Sequence, residues 1–396
     1  MTTTRRALFR SAAAGGSAAS LGVLVACGAP SSAPPTTQSA QPVTVELRHN
    51  GVSEAQMARW RPVFDAAKAS LPKHITLNAT FETEKMWDKL QAQHAGGEGP
   101  DVTYNQVNWV ITGGVHGIFR SLNDLLARDK VKPDAYNPGA FQSWRWKGQQ
   151  YAMPYSAIGE TVFLYKRLFR ELAVPVPNPT WTWADLLAAA LKLTKGEGTS
   201  KQFGVVLFNN SLQVTQGSWM LNNGGKVFNE TRTEALYGDD PKSIGAFEWL
   251  VDLRLKHGVE PQPEERTPNP SRAGQTLQPF NEGRAAMEIA RFSRYNEWIG
   301  ELGEEQIEIL PVPIGPAKRR ASAVGTNAWS VGGHSKAPDG AWEVVKWLTG
   351  PRGQSGVGAE AVSVPALISA ATSTDLLKRY SGTQAQATFA AWSKES

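Results

Sequence analysis

Strand-like and helix-like segments alternate along much of the chain. Residues 43–48 alternate apolar and polar side chains, as a half-buried strand does, and residues 53–67 repeat their apolar side chains at helical spacing. The succession repeats with a strand over residues 75–81, a helix near residues 85–94 and the start of a third strand near residues 100–104. Because strands that alternate with helices build helix-covered parallel sheets, this part of the chain predicts an α/β lobe with a largely parallel sheet.

A second α/β region begins within residues 151–194. Residues 161–165 are β-prone, a short helical segment ends near Leu172, and a Pro-rich turn follows. Thr182 is a good N-cap residue, and Asp185 can return the capping contact three residues later. We therefore expect a helix that begins at Thr182.

The N-terminus indicates export. Arg5, Arg6 and Arg10 form a basic start, and the small apolar residues 11–26 are too few to span a bilayer comfortably. We expect residues 1–26 to be a signal peptide. The paired arginines resemble a twin-arginine signal, although ordinary secretory leaders carry such pairs as well.

The leader ends in Leu24-Val25-Ala26-Cys27-Gly28, which resembles a bacterial lipobox. Cys27 is the only cysteine of the chain, so it has no disulfide partner within it, and we expect it to be lipidated. The alternative is a buried or incidental thiol. Residues 27–42 are small, polar and Pro-rich, which predicts a disordered tether between the lipid anchor and the folded body.

Charge and motifs argue against several function classes. Removing the three leader arginines leaves 38 basic residues against 36 acidic ones, so we expect no nucleic-acid surface. The sequence contains neither G-x-S-x-G nor H-E-x-x-H, and its six His form no cluster with ligand spacing. We expect no enzyme activity, no metal and no cofactor.

Several ordered segments resemble the solute-binding proteins of bacterial sugar ABC transporters. They are Y-A-M-P at 151–154, L-Y-K-R-L-F at 164–169, T-W-A-D-L-L at 182–187, F-N-E-G-R-A-A-M at 280–287 and S-K-A-P-D-G-A-W-E-V-V-K-W-L-T-G-P at 335–351. The resemblance covers Val43 to about Ala366. It implies an α/β, two-lobe periplasmic-binding-protein-like fold of type II, in which each lobe is a mostly parallel sheet flanked by helices and crossing segments join the lobes.

The resemblance also implies lobe boundaries. Relatives return to the first lobe near the F-N-E-G-R-A-A-M segment, so the first lobe would comprise residues 43–158 and 285–323. The second lobe would comprise residues 159–284 and 324–396. Relatives usually continue with further helices, so we expect a short C-terminal part in the second lobe.

Ligands of such sheets bind beyond the carboxyl ends of the strands. In the first lobe this rule selects the residues that follow predicted strands, which are His49, Asn50, Glu82, Trp87, Asn105, Gln106, Asn108 and Trp109. The resemblance favours Asn50, Glu82 and Asn105, because comparable positions in relatives contact sugar. The alternatives are turn residues for the Asn side chains and core packing for the tryptophans.

The resemblance places further candidates on the crossing segments and in the second lobe. They are Tyr155, Ser156, Trp219, Asn222, Arg291, Tyr295, Thr326, Asn327 and Trp329. Arg291 could bind an anionic or hydroxyl-rich ligand, or be a surface charge. Many relatives carry Gly followed by Trp where this chain has Phe292 and Ser293, so Tyr295 or Trp298 could supply that stacking.

These residue types suit a sugar, because its hydroxyl groups need polar partners and its C–H faces need aromatic rings. We expect a substrate-binding lipoprotein of an ABC importer, a monomer that captures a sugar or oligosaccharide by hinge closure. It would face the periplasm or the cell exterior from its membrane anchor. The implied partners are transmembrane permease subunits with a cytoplasmic ATPase.

Two other function classes stay open at this point. Glycerol 3-phosphate or a glycerophosphodiester would need basic residues, for which Arg48 and Arg291 are the candidates. A glycoside hydrolase would need two opposed carboxylates about 5 to 9.5 Å apart, and Glu82 with Glu160 or Glu288 could be nominated.

Overall fold

The computed structural model describes residues 41–51, 53–207, 216–230, 233–266, 279–295, 298, 302–360, 363–378, 380 and 384–395. The predicted signal peptide, Cys27 and nearly all of the predicted tether lie outside these described residues. Within the described ranges, no helix combines the length and the apolar character that a membrane crossing requires.

The described strands form two larger sheets and one small pair. In chain order they are β1 (Val43–Asn50), β2 (Ile75–Glu82), β3 (Val102–Gln106), β4 (Arg145–Trp146), β5 (Gln149–Gln150), β6 (Met153–Pro154), β7 (Glu160–Tyr165), β8 (Phe203–Leu207), β9 (Ala285–Arg291), β10 (Ile307–Pro311) and β11 (Asn327–Val331). The five-stranded sheet has the order β2-β1-β3-β11-β6, the four-stranded sheet has the order β10-β7-β9-β8, and β4 pairs with β5. We call the regions built on the two larger sheets the first lobe and the second lobe.

Helices pack against both sheets. In chain order they are α1 (Glu54–Ser70), α2 (Met86–Ala95), α3 (Val110–Val115), α4 (Asn123–Arg128), α5 (Pro138–Gln142), α6 (Lys166–Glu171), α7 (Trp183–Leu193), α8 (Gly217–Asn222), α9 (Pro241–Leu255), α10 (Pro338–Thr349), α11 (Pro351–Ala359), α12 (Ile368–Ala371), α13 (Thr374–Lys378) and α14 (Ala385–Glu395). Helices α1 and α10 pack on the sheet of the first lobe, and α7 and α14 pack on that of the second.

Burial along the strands follows from this layering. The inward positions of β1 are buried and alternate with half-buried ones, as its sequence pattern predicts. Every residue of β7, β8 and β10 is buried, because elements cover both faces of the second sheet. The apolar character of these strands therefore reflects their place inside the lobe.

The sheets contain fewer parallel pairings than the sequence predicts. Strands β1, β2 and β3 are parallel as expected, but among the described strands only three of the seven pairings in the two larger sheets are parallel. The antiparallel strands β7 and β11 lie next to the segments that cross between the lobes, so the chain enters each sheet there in the opposite direction. The α/β two-lobe fold class is confirmed, whereas mostly parallel sheets are not found.

Two segments exchange lobes relative to the prediction. Residues 285–323 were expected in the first lobe, yet β9 and β10 pair with β7 in the sheet of the second lobe. Residues 324–396 were expected in the second lobe, yet β11 pairs with β3 and β6 in the first. The apolar pattern of a strand shows that it is buried, and it does not show which sheet the strand joins.

Candidate functional site

The sheet of the first lobe ends in a polar edge. Parallel pairing sets Asn50 of β1 beside Glu82 of β2 at the carboxyl ends of both strands. Asn327 at the start of β11 pairs with Gln106 at the end of β3. Since β1 and β3 are also parallel, Glu82, Asn50, Gln106 and Asn327 follow one another along this edge.

The second lobe presents a corresponding edge. Arg291, the last residue of β9, pairs with Glu160, the first residue of β7. The chain leaves the first edge after Pro154 of β6 and reaches Glu160 through residues 155–159. The two edges therefore lie at the junction of the lobes, and we call the region between them the cleft.

Short segments of the chain connect the lobes. We call them the hinge segments, and they are residues 155–159, 322–326 and 363–366. Ile158 and Gly325 exchange two backbone hydrogen bonds, with N–O distances of 2.7 and 2.9 Å. The N–H of Ala157 donates to the carbonyl of Val364 at 3.0 Å. Short connecting segments of this kind can absorb the backbone rotations of a hinge.

Asn327 is held in a hydrogen-bond network at the first edge. Its Oδ1 accepts from the hydroxyl of Tyr104 at 3.1 Å, and that hydroxyl accepts from Nε2 of Gln106 at 3.3 Å. The backbone N–H of Asn327 donates to Oγ of Ser156 at 2.8 Å. Tyr104 and Ser156 are buried, whereas the two amides are half-buried. The network therefore fixes two amide groups that can both donate to and accept from hydroxyl groups.

Trp87 and Trp109 form a stacked pair near this edge. Their ring centroids are 5.2 Å apart at an interplanar angle of 19°. Phe119 lies 6.2 Å from Trp87 and Tyr104 lies 6.2 Å from Trp109, so neighbouring rings hold the pair in place. Both indoles are half-buried. A fixed and partly exposed aromatic ring can pack against the C–H face of a sugar.

Glu82 carries two cationic neighbours. Its carboxylate lies 2.6 Å from Nζ of Lys89 and 3.6 Å from Nη1 of Arg48. The hydrogen bond from Lys89 is the main cause that holds the pKa of Glu82 below its ordinary value. Glu82 is therefore an ionised acceptor, and its charge offsets part of the positive charge at this edge.

Arg291 lies beside a buried carboxylate. Glu160 is fully buried and pairs with Arg291 across β7 and β9. Burial lowers the pKa of the Arg291 guanidinium, and the negative charge of Glu160 opposes this lowering. Nε of Arg291 is buried and has no hydrogen-bond partner among the described residues. The second edge thus carries one arginine whose charge is balanced by a neighbouring carboxylate.

The structure places the predicted tryptophans Trp219 and Trp329 in the cores of the lobes. Both are 0% exposed. Trp219 packs against Trp183 and Trp249, with ring centroids 4.7 and 5.0 Å apart. The ring of Trp329 lies 5.5 Å from that of His49. Because a fully buried ring has no surface for a ligand in this conformation, neither tryptophan is kept in the candidate site.

Asn105 and Thr326 are also buried and act as internal hydrogen-bond partners. Nδ2 of Asn105 donates to Oγ of Ser330 at 2.8 Å, and Oγ1 of Thr326 accepts from Nε1 of Trp144 at 3.1 Å. Both side chains face their own lobe in the described conformation. We therefore leave them out of the candidate site as well.

Asn222 and Tyr295 stabilise the second lobe. The amide of Asn222 bonds to the backbone N–H and carbonyl of Ala321, the latter at 3.1 Å. The hydroxyl of Tyr295 donates to the carboxylate of Glu304 at 3.1 Å, and burial raises the pKa of Tyr295. Asn222 and Tyr295 are 0% and 3% exposed, so they too are left out.

The remaining predicted residues either lie at the two polar edges or pack behind them. Tyr155 is 3% exposed and packs against Trp329, so it supports the first edge from within. Asn108 is exposed on the short helix that follows β3. Asn50, Glu82 and Asn327 lie on the first edge, Trp87 stacks on Trp109 near it, and Arg291 lies on the second edge. Ser156 is 0% exposed and supports Asn327 from within.

Two residues of this arrangement were not among the predicted ones. Tyr104 lies inside β3, so a rule that selects residues after strands passes over it. Lys89 lies seven positions after Glu82 on α2, and only the fold brings its ammonium group back to that carboxylate. Gln106 ends β3 and Trp109 follows it, so the rule for strand ends selects both of them.

The chemistry available at the cleft consists of hydrogen bonds and ring contacts. In the part of the chain that the structure describes, no group of three or more His, Cys, Asp or Glu side chains has the geometry of a metal site. Amides, a carboxylate and an arginine can bind hydroxyl groups, and an indole pair can bind an apolar face.

A family profile matches most of the chain. The profile described as bacterial extracellular solute-binding protein matches residues 65–385. A curated relative, the probable ABC transporter-binding protein of Deinococcus radiodurans, is 23% identical over 297 residues, which cover 73% of this chain and 68% of the relative.

Solved structures with the same fold include several two-lobe binding proteins. The cyclic alpha-maltosyl-1,6-maltose binding protein of Arthrobacter globiformis has a TM-score of 0.73 and 20% identity, covering 89% of this chain and 87% of that one. A sugar transporter protein of Rhizobium etli in an open conformation has a TM-score of 0.70 and 21% identity, covering 88% and 87%. The maltose/maltodextrin-binding domain of Bdellovibrio bacteriovorus, bound to maltotriose, has a TM-score of 0.64 and 18% identity, covering 89% and 88%.

Proposed function

The chain belongs to the bacterial extracellular solute-binding proteins, and from this premise we propose that it captures a neutral sugar or oligosaccharide between its two lobes for an ABC importer. Closure of the lobes about the hinge segments would enclose the ligand and create the form that the permease recognises.

The observation that carries this proposal is the composition of the cleft edges. Asn50, Gln106 and Asn327 supply amides, Glu82 supplies an ionised acceptor, and Trp109 supplies a ring held by its neighbours. Sugars need this combination, because hydroxyl groups surround their rims and C–H groups cover their faces. We propose Trp109, backed by Trp87, as the stacking surface in place of Trp219 and Trp329.

The charge at the cleft favours a neutral ligand over glycerol 3-phosphate or a glycerophosphodiester. A phosphate needs uncompensated cations or several aligned N–H donors. Arg48 lies 3.6 Å from the carboxylate of Glu82, and Arg291 lies beside Glu160 in the paired strands. Each candidate arginine already has a carboxylate nearby, so an added phosphate would meet negative charge on both edges.

The ligands named for two similar solved structures also favour a neutral sugar. The Arthrobacter protein binds a cyclic maltosyl-maltose and the Bdellovibrio domain is bound to maltotriose, both of which are neutral oligosaccharides. These ligands define the class in which the ligand of this chain should be sought.

The positions of the nominated carboxylates do not favour a glycoside hydrolase. Glu288 pairs with Phe163, three positions along β7 from Glu160, so Glu160 and Glu288 lie on opposite faces of the sheet and at most one of them could face Glu82. Glu82 is held ionised by Lys89, whereas a general acid must carry a proton. We propose a binding function without catalysis.

We further propose that the protein is exported and anchored. Residues 1–26 would direct export, by the twin-arginine or the general secretory route, and Cys27 would carry the lipid. The tether of residues 27–42 would hold a monomeric two-lobe body near transmembrane permease subunits that work with a cytoplasmic ATPase.

Isothermal titration calorimetry with two tryptophan variants tests this function. We expect maltose or maltotriose to bind the wild-type protein and Trp109→Ala to weaken that binding by about five- to thirtyfold, because loss of a stacking ring removes roughly 1 to 2 kcal/mol. Trp146→Ala is the matched control, since Trp146 is another half-buried tryptophan, on the β4–β5 pair with Lys147 over its ring at 5.8 Å. Equal affinities of the wild-type protein and the Trp109→Ala variant would remove Trp109 from the site.

A further inference from the structure

An arginine side chain occupies the space above a hinge glycine. Gly325 lies in the hinge segment 322–326 and is bonded to Ile158 in both directions, at 2.7 and 2.9 Å. A Cβ atom added at Gly325 would lie 2.8 Å from Nη1 and 3.0 Å from Cζ of Arg291. Gly325 does not have a positive φ, so its backbone conformation does not call for glycine. The absence of a side chain makes room for the guanidinium of Arg291.

Arg291 also lies beside the other strand of the hinge. It pairs with Glu160, which directly follows the hinge segment 155–159. The backbone N–H of Glu160 donates to Oγ of Ser322 at 2.7 Å, and the hydroxyl of Ser322 lies 3.3 Å from the carbonyl of Glu160. One guanidinium thus contacts the segment that carries Gly325 and faces the carboxylate at the end of the segment that carries Ile158.

These contacts suggest a role beyond ligand binding. We propose that Arg291 couples occupancy of the cleft to lobe closure, as a positioning residue that acts through the hinge glycine. This inference rests on the proposed function, because it assumes that a ligand enters the cleft. When the lobes close, rotation at Ile158 and Gly325 moves the surface on which the guanidinium rests, and a ligand oxygen that meets the guanidinium in the closed form favours that form.

Linkage makes this role measurable. A ligand shifts an open–closed equilibrium only through its different affinities for the two states, and any substitution that shifts the equilibrium changes the apparent affinity in turn. A side chain at position 325 would displace the guanidinium without removing any group from the cleft. It should therefore change the lobe arrangement even in the absence of ligand.

The test measures the distance between the lobes by pulsed electron paramagnetic resonance. Spin labels would be placed at Gln91→Cys on α2 and Leu191→Cys on α7, two exposed helical positions in different lobes. Cys27 is the only cysteine of the chain, so a Cys27→Ser background keeps the labels unique. We expect Gly325→Ala to shift the ligand-free distance distribution, and Gly325→Ala in an Arg291→Ala background to have little effect, because the added methyl group then has room.

Control variants distinguish this effect on the lobe distance from a general loss of stability. Gly238→Ala is the matched control, since Gly238 lies in the second lobe with no atom within 4 Å of an added Cβ and without a positive φ. Its distance distribution should equal that of the wild-type protein. Melting temperatures of all variants show whether the fold is kept.

Ligand titration completes the experiment. With maltotriose as the probe, Gly325→Ala should weaken binding on the order of tenfold, in the range of ordinary coupling between sites, and should reduce the ligand-induced shortening of the distance. The proposal is overturned if Gly325→Ala leaves the ligand-free distances unchanged, or if the Gly325→Ala and Arg291→Ala effects simply add. The ligand-free measurement decides the role of Arg291 even if maltotriose does not bind, in which case only the proposed ligand fails.

Discussion

His49 is an imidazole enclosed by aromatic rings at the end of β1. The ring centroids of Trp60, Tyr104 and Trp329 lie 4.7, 4.9 and 5.5 Å from it, and the side chain is 0% exposed. Burial lowers the pKa of His49 to about 3, and a backbone contact with Asn50 only partly opposes this. His49 therefore stays neutral in the native protein at every pH at which the protein would work, and it serves as packing beside the polar edge.

The buried imidazole makes stability depend on pH. Below its ordinary pKa of 6.5 the unfolded chain protonates His49, while the native state does so only near pH 3. The native state binds fewer protons in this window, so the free energy of unfolding should fall as the pH falls, by about 1.4 kcal/mol per unit from this residue. Urea denaturation at several pH values between 6.5 and 4 measures the slope.

Variants isolate the contribution of His49 from that of the carboxylates. His49→Phe fits the aromatic surroundings. It should reduce the pH dependence of the free energy of unfolding by about 1.4 kcal/mol per pH unit. His116→Gln, at an exposed position on the same lobe, should leave the slope unchanged. Parallel slopes for the wild-type and His49→Phe proteins would show that His49 is not a buried neutral group.

The N-terminus of helix α7 lies where a local capping signal in the sequence predicts it. Oγ1 of Thr182 accepts from the backbone N–H of Asp185 at 3.3 Å, and Oδ2 of Asp185 accepts from the N–H of Thr182 at 2.8 Å. This is the capping box that the sequence predicts, and it is confirmed. The N–H of Trp183 donates to the carbonyl of Ile314, so the same turn also binds the helix to a neighbouring segment.

The capping box gives a prediction for stability. Thr182→Ala should lower the free energy of unfolding by about 1 kcal/mol, because it leaves an N-terminal N–H group of α7 without its side-chain partner. Thr199→Ala, at an exposed position in the same lobe, is the control and should change it by less than about 0.5 kcal/mol. Guanidinium midpoints at constant m-value measure both. Equal midpoints for the two variants would contradict a stabilising cap.

Elements set by local patterns could be predicted, and their partners could not. The strand at residues 43–48 and the helix at Thr182 follow from side-chain spacing and capping, which act within a few residues. The resemblance assigns residues 285–291, which form β9, to the wrong lobe, because the pairing of β9 with β7 joins residues far apart in the chain. Nothing in the apolar sequence of β9 encodes that partner.

The candidate site likewise contains residues that the sequence predicts and residues that only the fold brings together. Asn50 and Glu82 can be predicted because they follow strands, and Asn327 can be predicted because its segment resembles that of relatives. The resemblance selects Trp219 and Trp329, but both are core residues, since burial depends on helices and strands contributed by distant segments. The stacked pair of Trp87 and Trp109 likewise requires α2 and the end of β3 to meet in space.

At the scale of the whole molecule, two sheets with polar edges are joined by three described hinge segments. The edges carry amides, one ionised acceptor, two arginines with neighbouring carboxylates and one indole pair. Such a cleft is suited to hydroxyl groups and C–H faces, and closure about the hinge would remove both from water. We therefore propose that a neutral sugar binds between the lobes.

A thermal-shift screen of residues 28–396 tests this binding, with maltose, maltotriose and other neutral oligosaccharides compared against glycerol 3-phosphate and its diesters. A ligand that binds only the native state adds about 2.7 kcal/mol at a hundred times its dissociation constant, enough for a clear rise in melting temperature. We predict such a rise with at least one neutral sugar and none with the phosphates. A rise with glycerol 3-phosphate and with no neutral sugar would contradict the account and assign the site to Arg48 and Arg291.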